Sequence, residues 1–486
     1  MDQNETPIID ALRAFDKKKI TSYDVPGHKR GIREDDFQKL VGREVYRMDV
    51  NAPAGLDTFA HPTGVVKKSL ELAAEAYKAD NAFYLVNGSS SGVQIMIMTV
   101  CYDGEKILIP RNAHKSVTNA LILSGAVPVF MEPEINQKFG IASGMTLSTI
   151  QKYVEANPDV KALFLVYPTY YGACADLERI IGYAHSKDIV VMVDQAHGAH
   201  FSFSSALPKS ASELGADLVV ASTHKTGGSL TQSAMLLHNG GLVKYHSVKK
   251  RVLMLHTTSP SYLLMASLES ARKQLATEGE EIFSELVHEC RKVKKEISQI
   301  PGLSVLDENE GVVSMTYDPT KIVVNVTKLG LDGFDVYDIM FEKYGIQLEL
   351  AEPTIVLAVI GVGDTKETVR KLADAFKDLS ATYYGKYEML DIPEEIVYVP
   401  PQIMSPRQAF YADKTAVNIS EAAGRVAAET VMIYPPGIPI CLPGELITAE
   451  TIGEILYCQE NSNCIQKDSK ETGKILVVDD SAEMIR

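Results

Sequence analysis

Ala221-Ser222-Thr223-His224-Lys225-Thr226-Gly227-Gly228 is the stretch from which the fold and the chemistry of this chain can be inferred. It follows the largely apolar run 216–220, which predicts a short buried strand ending at a hydroxyl, an imidazole and an amine. A lysine amine has a reference pKa of about 10.4, and it attacks carbonyl compounds when burial or a nearby cation lowers that pKa. A solvated lysine is the commoner explanation of a lone His-Lys pair. The rest of the chain supports Lys225 as a Schiff-base residue.

The composition excludes several classes of function. The 486 residues carry a net charge of −15 and are 45% hydrophobic, which allows two or three domains with a large core. The negative charge disfavours nucleic acid and anionic membranes as partners and weakly favours a cationic small molecule. The polar N-terminus and the short apolar runs predict neither a signal peptide nor a membrane span. Six scattered cysteines without zinc-ligand spacing predict reduced thiols in the cytoplasm and no metal site.

Short apolar runs alternate with helical stretches through the first half of the chain. The runs that we interpret as buried strands are residues 83–86, 106–110, 127–130, 162–166 and 189–193. Repeated strand–helix units with all-apolar strands predict a mainly parallel sheet that helices cover on both faces. Ligands bind at the carboxyl ends of the strands of such sheets, where the connecting loops meet.

One of these strand ends predicts an anion site. Asn87-Gly88-Ser89-Ser90-Ser91-Gly92 follows the first strand and leads into a helix. Backbone N–H groups, hydroxyl donors and the positive end of the helix dipole meet there, as in a phosphate cradle. A serine that caps the helix is the structural alternative. No Gly-Lys-Ser/Thr follows, so the turn is not a nucleotide-triphosphate loop.

Two further strand ends carry ionisable side chains. His114 follows strand 106–110, where an imidazole caps a helix or lies flat on a cofactor ring. Asp194 directly follows strand 189–193, and a carboxylate buried at that position needs a cation or hydrogen-bond donors. A protonated pyridine nitrogen is such a cation, and the carboxylate would keep it protonated. Asp194 and Lys225, one strand–helix unit apart, are together a specific signal.

These motifs resemble those of the bacterial ornithine/lysine/arginine decarboxylases, and most closely the short form that lacks an N-terminal wing domain. The likeness covers nearly the whole chain and keeps the family's order. The motifs are Pro26-Gly27-His28-Lys29, His61-Pro62-Thr63-Gly64, Asn87-Gly88-Ser89-Ser90-Ser91, Arg111-Asn112-Ala113-His114-Lys115-Ser116, Asp194-Gln195-Ala196-His197-Gly198, Ser222-Thr223-His224-Lys225, Thr258-Ser259-Pro260-Ser261-Tyr262 and Tyr434-Pro435-Pro436-Gly437-Ile438-Pro439. The resemblance implies an α/β protein with an aspartate-aminotransferase-like (fold type I) large domain, a small α/β domain and a C-terminal α+β domain.

The resemblance also implies roles for individual residues around pyridoxal 5'-phosphate. Lys225 would form the Schiff base, Asp194 would pair with the pyridine nitrogen, His114 would stack on the ring, and His197 would lie on its other side near the phenolic oxygen. The catalytic residues are then Lys225, His114, Asp194 and His197. The residues that bind the cofactor are those four with Ser89, Ser90, Ser91, Ser222, His224 and Ser259, of which Ser259 would approach the partner subunit's active site. Glu445 and Arg407 are the candidates for binding substrate at the entrance.

Two positions depart from the family pattern. Gln195 stands where an acidic residue is usual, and we expect it to point away from the cofactor ring. The segment 458–464, with cysteines at both ends, replaces a stretch that is usually richer in glycine. The predicted domains are residues 1–310 (N-terminal segment and large domain), 311–390 (small domain) and 391–486 (C-terminal domain).

The function that the resemblance implies is pyridoxal-phosphate-dependent α-decarboxylation of a basic amino acid in polyamine biosynthesis. Arginine, which yields agmatine and carbon dioxide, is preferred because the short form most resembles arginine decarboxylases. Lysine or ornithine as substrate, another fold type I enzyme such as an aminotransferase or an aldolase-type enzyme, and a non-catalytic regulatory relative are the alternatives. The intact Lys225, Asp194 and His224 argue against the non-catalytic relative. We expect a cytoplasmic homodimer or larger homo-oligomer.

Overall fold

The computed structural model describes residues 1–307, 316–390, 398–433, 437–461 and 465–479. Its α-helices are α1 (Pro7–Lys17), α2 (Asp36–Val41), α3 (Arg43–Met48), α4 (Val65–Ala76), α5 (Gly88–Val100), α6 (Ser116–Ser124), α7 (Leu147–Ala156), α8 (Leu177–His185), α9 (Thr223–Thr226), α10 (Tyr245–Leu255), α11 (Tyr262–Ser298), α12 (Gly333–Tyr344), α13 (Lys366–Tyr383), α14 (Pro406–Tyr411) and α15 (Ala449–Asn461). Its strands are β1 (Asn81–Leu85), β2 (Lys106–Pro110), β3 (Val127–Met131), β4 (Ile135–Asn136), β5 (Ile141–Ala142), β6 (Ala162–Val166), β7 (Ala173–Cys174), β8 (Val190–Asp194), β9 (Leu218–Ala221), β10 (Ala234–His238), β11 (Ser304–Val305), β12 (Thr316–Tyr317), β13 (Lys321–Asn325), β14 (Leu350–Ala351), β15 (Ile355–Val359), β16 (Lys414–Asn418), β17 (Val431–Ile433), β18 (Ile438–Cys441), β19 (Ile465–Gln466) and β20 (Lys474–Val478). None of the helices in these ranges is long and apolar enough to cross a membrane.

The central sheet has seven strands in the order β1-β10-β9-β8-β6-β2-β3. β2 pairs in parallel with β3 and β6, whereas β10 pairs antiparallel with both β1 and β9. Nearly every residue of β6, β9 and β10 is buried, because helices cover such strands on both faces. The mainly parallel sheet is confirmed, and β10 is a strand that the sequence analysis did not identify.

The chain divides into two compact units. The first unit is Met1–Ile95, Asp194–Arg291 and Ile360–Val369, and the second is Met96–Val193, Lys292–Val359 and Arg370–Arg486. This division groups residues by proximity and does not test the three sequence domains 1–310, 311–390 and 391–486, which stay a prediction.

Within the first unit, the long helix α11 holds the N-terminal segment. Thr6 makes no side-chain cap on α1, and the buried Glu269 accepts hydrogen bonds from the N–H groups of Ile8 (3.0 Å) and Ile9 (2.9 Å) instead. A carboxylate at this end of a helix satisfies its free N–H groups and opposes its dipole. α1 is therefore capped by a residue some 260 positions away in sequence.

Within the second unit, five sheets of the described residues lie apart from the central sheet, and two of them are the short pairs β4-β5 and β7-β12. An antiparallel sheet in the order β11-β13-β15-β14 includes β13, β14 and β15 of the predicted small domain. The C-terminal residues form the β16-β20 pair and the β18-β17-β19 sheet. β20 contains the apolar run just before Asp479, whereas Tyr434-Pro435-Pro436, Cys464 and Asp480 lie outside the described residues.

Candidate active site

Lys225 lies on α9, a single helical turn that directly follows the end of β9. Thr223 and Thr226 are buried on either side of it, while the Lys225 side chain is exposed. Its Nζ lies 2.8 Å from Nε2 of His197, within hydrogen-bond distance. Gly228 ends the turn with a φ of +86°, and a Cβ at this position would lie 2.7 Å from Cγ1 of Val362. This turn requires glycine both for its left-handed backbone and for space.

Asp194 is the last residue of β8 and is 7% exposed. Its Oδ1 accepts a hydrogen bond from the N–H of Ala196 at 3.0 Å. Burial raises the pKa of Asp194, and the charge of Lys225 and the Ala196 N–H only partly oppose this effect. A buried carboxylate is stabilised when a further cation lies beside it. A protonated pyridine nitrogen is such a cation, so Asp194 has the property expected of its partner.

The N-terminus of α5 carries hydroxyl groups and lacks an acidic side chain in its first turn. Ser222 Oγ donates a hydrogen bond to Ser89 Oγ at 2.8 Å, which joins the end of β9 to this helix end. Close packing makes this possible, since a Cβ on Gly92 would lie 2.4 Å from Cγ2 of Val220. Ser91 Oγ instead donates to the carbonyl of Gly88 at 2.8 Å, a bond within the first turn of the helix. The free N–H groups and hydroxyls of α5 can therefore receive an anion.

The remaining predicted cofactor residues of the first unit are Ser90, His224 and Ser259. Ser90 is exposed at the start of α5, and His224 is half-buried on α9. Ser259 is exposed in the loop between α10 and α11, where its N–H donates to Thr257 Oγ1 at 3.2 Å. In this unit, Lys225 therefore lies within hydrogen-bond distance of His197, and its charge acts on Asp194. Ser222 is hydrogen-bonded to Ser89.

His114 lies in the second unit, in the loop between β2 and α6. Its Nδ1 accepts a hydrogen bond from the N–H of Ser116 at 3.2 Å and lies 2.9 Å from Ser116 Oγ. Because an N–H donor occupies Nδ1, a neutral His114 carries its proton on Nε2. His114 is half-buried.

The two candidate substrate residues make internal contacts in the second unit. Glu445 is fully buried, and its oxygens accept hydrogen bonds from Arg111 at 2.7 and 3.0 Å. Arg407 donates to Asp103 at 3.0 Å and to the carbonyls of Ile122 (2.8 Å) and Leu123. Neither arrangement supports the entrance role that the sequence analysis assigned to Glu445 and Arg407, which stays a prediction.

Family models and relatives identify the protein class. The model described as "Orn/Lys/Arg decarboxylase, major domain" matches residues 6–313, and "Orn/Lys/Arg decarboxylase, C-terminal domain" matches residues 393–467. A protein of Bacillus anthracis named arginine decarboxylase is 42% identical over 459 residues, which cover 93% of this chain and 92% of that protein. The chain belongs to the Orn/Lys/Arg decarboxylase family.

Solved structures agree with the fold of this decarboxylase family member. Lysine decarboxylase A from Pseudomonas aeruginosa has a TM-score of 0.85 and 20% identity, covering 98% of this chain and 81% of that chain. Ureidoglycine-glyoxylate aminotransferase from Bacillus subtilis has a TM-score of 0.53 and 17% identity, covering 65% and 84%. These likenesses confirm the predicted fold type I α/β architecture. Membership also confirms the predicted class, an amino-acid decarboxylase of a pyridoxal-phosphate-dependent family.

Three buried residues of the first unit were not assigned a role from sequence. Gln195 donates to the carbonyl of Gly198 (2.9 Å) and accepts from the N–H of Ala211 (2.6 Å), so its amide orders the turn that carries His197. His200 Nδ1 lies 3.0 Å from Thr226 Oγ1, directly after Lys225. His256 accepts from the N–H of Val86 at 3.2 Å, and burial lowers its pKa. For Gln195, the sequence signal that could have indicated a role was that it replaces the acidic residue usual in the family.

Proposed function

We propose that the protein binds pyridoxal 5'-phosphate at Lys225 and removes the α-carboxylate of arginine, giving agmatine and carbon dioxide. The observation that carries this proposal is the grouping of Lys225 Nζ, His197 and the buried Asp194 at adjacent strand ends. Arginine is favoured because the Bacillus anthracis relative at 42% identity is named arginine decarboxylase, whereas the lysine decarboxylase structure is only 20% identical.

The residues present fit this cofactor. The N-terminus of α5 with the Ser89 and Ser222 hydroxyls offers donors for a phosphate. Asp194 supplies a desolvated carboxylate for a ring nitrogen, and Lys225 supplies the amine. When bound, pyridoxal phosphate provides the electron sink for the electron pair that remains as carbon dioxide leaves.

The Lys225–His197 pair is suited to proton transfer. Lys225 Nζ and His197 Nε2 lie 2.8 Å apart, so a hydrogen bond can join them, and the tautomer of the histidine decides which atom donates. Decarboxylation leaves the substrate α-carbon with an electron pair that must be protonated before the amine product departs. We infer that this pair acts as the general acid: Lys225 or His197 delivers the proton to the α-carbon.

Carbon dioxide release from arginine, lysine and ornithine tests the proposed reaction. We expect kcat/KM for arginine to exceed that for the other two by at least about tenfold, because a guanidinium fork makes paired hydrogen bonds that an ammonium cannot. An aminotransferase would convert the amino acid to a keto acid in the presence of a 2-oxo acid and release no carbon dioxide. A non-catalytic relative would do neither.

We further propose that the active unit is a homodimer, as expected from the resemblance of the loop with Ser259. Large apolar side chains in the N-terminal part of the first unit are exposed: Tyr23 (92%), Leu40 (81%), Ile32 (67%) and Phe37 (59%). Several exposed apolar side chains within one short segment are typical of a surface that another protein covers. A second copy of this chain would cover them at a closed two-fold interface.

Subunit mixing tests the contribution of Ser259 to the partner's site. Lys225→Ala lacks the amine, and Ser259→Asp would place a negative charge near the partner's phosphate, so each variant alone should be inactive. Randomly mixed subunits are expected to recover up to about a quarter of wild-type activity, because half of the dimers are hybrids with one intact site. Each variant dissociated and reassociated with itself is the control. Full activity of isolated monomers would contradict the dimer proposal.

The cellular setting that we propose is the cytoplasm. The net charge of −15 is compatible with a cationic amino acid and disfavours nucleic acid as a partner. Scattered cysteines are typical of proteins in a reducing compartment.

A further inference from the structure

The ion pair between Arg111 and Glu445 joins segments that are 334 residues apart. Arg111 is 4% exposed and Glu445 is fully buried, and two parallel hydrogen bonds of 2.7 and 3.0 Å link them. Burial raises the pKa of Glu445 more than Arg111 lowers it. A buried pair of this kind contributes little net stability compared with apolar side chains of similar size. We therefore ask which part of the structure this ion pair orients.

Both partners are held by additional contacts in the same region. Arg111 Nη2 also donates to the carbonyl of Ile440 at 2.9 Å, and the N–H of Leu442 donates to Glu445 Oε2 at 2.8 Å. The Arg111 guanidinium lies 5.2 Å from the centre of the Phe130 ring. The position of this guanidinium is thus determined from several directions.

The loop that carries His114 is tied to the same C-terminal segment at its other end. The N–H of Lys115 donates to the carbonyl of Gly437 at 3.1 Å, one residue before β18. The backbone N–H of Arg111 donates to the carbonyl of Met131 at 2.8 Å. His114 lies between two anchored residues, so the backbone of its loop is held on both sides, and Ser116 contacts the ring itself.

We propose that Arg111 and Glu445 are positioning residues that hold the His114 loop in one fixed orientation. This inference rests on the proposed function and on the ring-stacking role that the family resemblance implies for His114. In this proposal Glu445 has a positioning role, which differs from the substrate contact predicted from sequence. The planar fork of arginine fixes direction as well as distance, which a lysine with a single ammonium does not.

Cofactor affinity and kinetics of Glu445→Gln and Arg111→Lys test this inference. Pyridoxal phosphate binding is measured by absorbance titration of the apoprotein, and kcat and KM are measured with arginine. We expect cofactor affinity and kcat each to fall about 10- to 100-fold, with KM changed less than about threefold, because misplacing a supporting group lowers the population of the productive geometry. The double variant Arg111→Met/Glu445→Met leaves no unpaired buried charge, so it should fold although the ion pair is absent. It should show the same losses.

A matched control separates positioning from general support of the C-terminal region. Glu429 is 1% exposed and accepts hydrogen bonds from the N–H groups of Leu476 (2.6 Å) and Ser469 (2.7 Å), which lie outside the His114 loop. Glu429→Gln should lower the unfolding temperature while cofactor affinity and kcat of the folded protein stay within about twofold of wild type. Equal losses of affinity in Glu429→Gln and Glu445→Gln would overturn the proposal.

A double-mutant cycle tests whether Glu445 acts through His114. If it does, Glu445→Gln should add less than about a twofold loss of cofactor affinity in a His114→Ala background, because the group to be positioned is already absent. A loss in that background as large as in the wild type would contradict the proposal. Failure of the wild-type protein to bind pyridoxal phosphate or to release carbon dioxide would instead refute the proposed function, and these two measurements precede the cycle.

Discussion

Replacing Lys225 with alanine is expected to lower kcat for arginine decarboxylation by at least about 10³-fold, because the amine that joins the cofactor and exchanges it with substrate is lost. Lys225 is the residue of α9 whose side chain is exposed while its neighbours Thr223 and Thr226 are buried. Truncation there removes the hydrogen bond to the buried His197 but no apolar packing, so the free energy of unfolding should fall by no more than about 1–3 kcal/mol. Steady-state kinetics and thermal denaturation measure the two effects.

Borohydride reduction followed by peptide mapping identifies the lysine directly. In the wild type, the reduced cofactor label should be found on the peptide that contains Lys225, and in Lys225→Ala this covalent label should be absent. Cofactor retained without a covalent bond is still expected, since Asp194 and the Ser89–Ser222 pair remain. Lys67→Ala is the matched control, because Lys67 is an exposed lysine of the same unit whose ion pair with Glu71 contributes little. Label on another lysine would refute the assignment of Lys225.

Local sequence patterns were sufficient to predict the centre of the fold. Continuous apolar runs marked β2, β6 and β8 to within a residue or so, because strands buried on both faces need apolar side chains at every position. Asp194 and Lys225 could be singled out because ionisable residues directly after such runs are costly unless they have partners. The same reasoning identified the start of α5, where a strand is followed by a glycine with positive φ and by serines in the first helical turn.

Long-range contacts could not be predicted in this way. Glu445 looks like an entrance carboxylate in sequence, and only the structure shows that Arg111, 334 residues earlier, occupies both of its oxygens. His200 and Gln195 carry no local signal of their contacts with Thr226, Gly198 and Ala211. A side chain's hydrogen-bond partner depends on tertiary packing, which spacing in one sequence does not encode.

Replacing Asp194 with asparagine is expected to lower kcat by about 10²- to 10³-fold, the range seen when one preorganised electrostatic contact is removed. Asparagine has nearly the same shape and keeps an oxygen that can accept from the Ala196 N–H, now at 3.0 Å. It lacks the negative charge that would keep a ring nitrogen protonated, so the electron sink is weakened. The phosphate donors at α5 and the Lys225 amine are unchanged, and cofactor should still bind.

The same substitution should affect the apoprotein in the opposite direction. Burial raises the pKa of Asp194, so above that pKa the folded apoprotein carries a carboxylate that would be more stable in water. The neutral asparagine amide would remove this cost, and the apoprotein of Asp194→Asn should therefore unfold at the same or a higher temperature than wild type at neutral pH. Asp194→Glu keeps the charge at a different distance and should retain more activity than Asp194→Asn. An asparagine variant with more than about a tenth of wild-type kcat would show that the carboxylate is not the partner on which the electron sink depends.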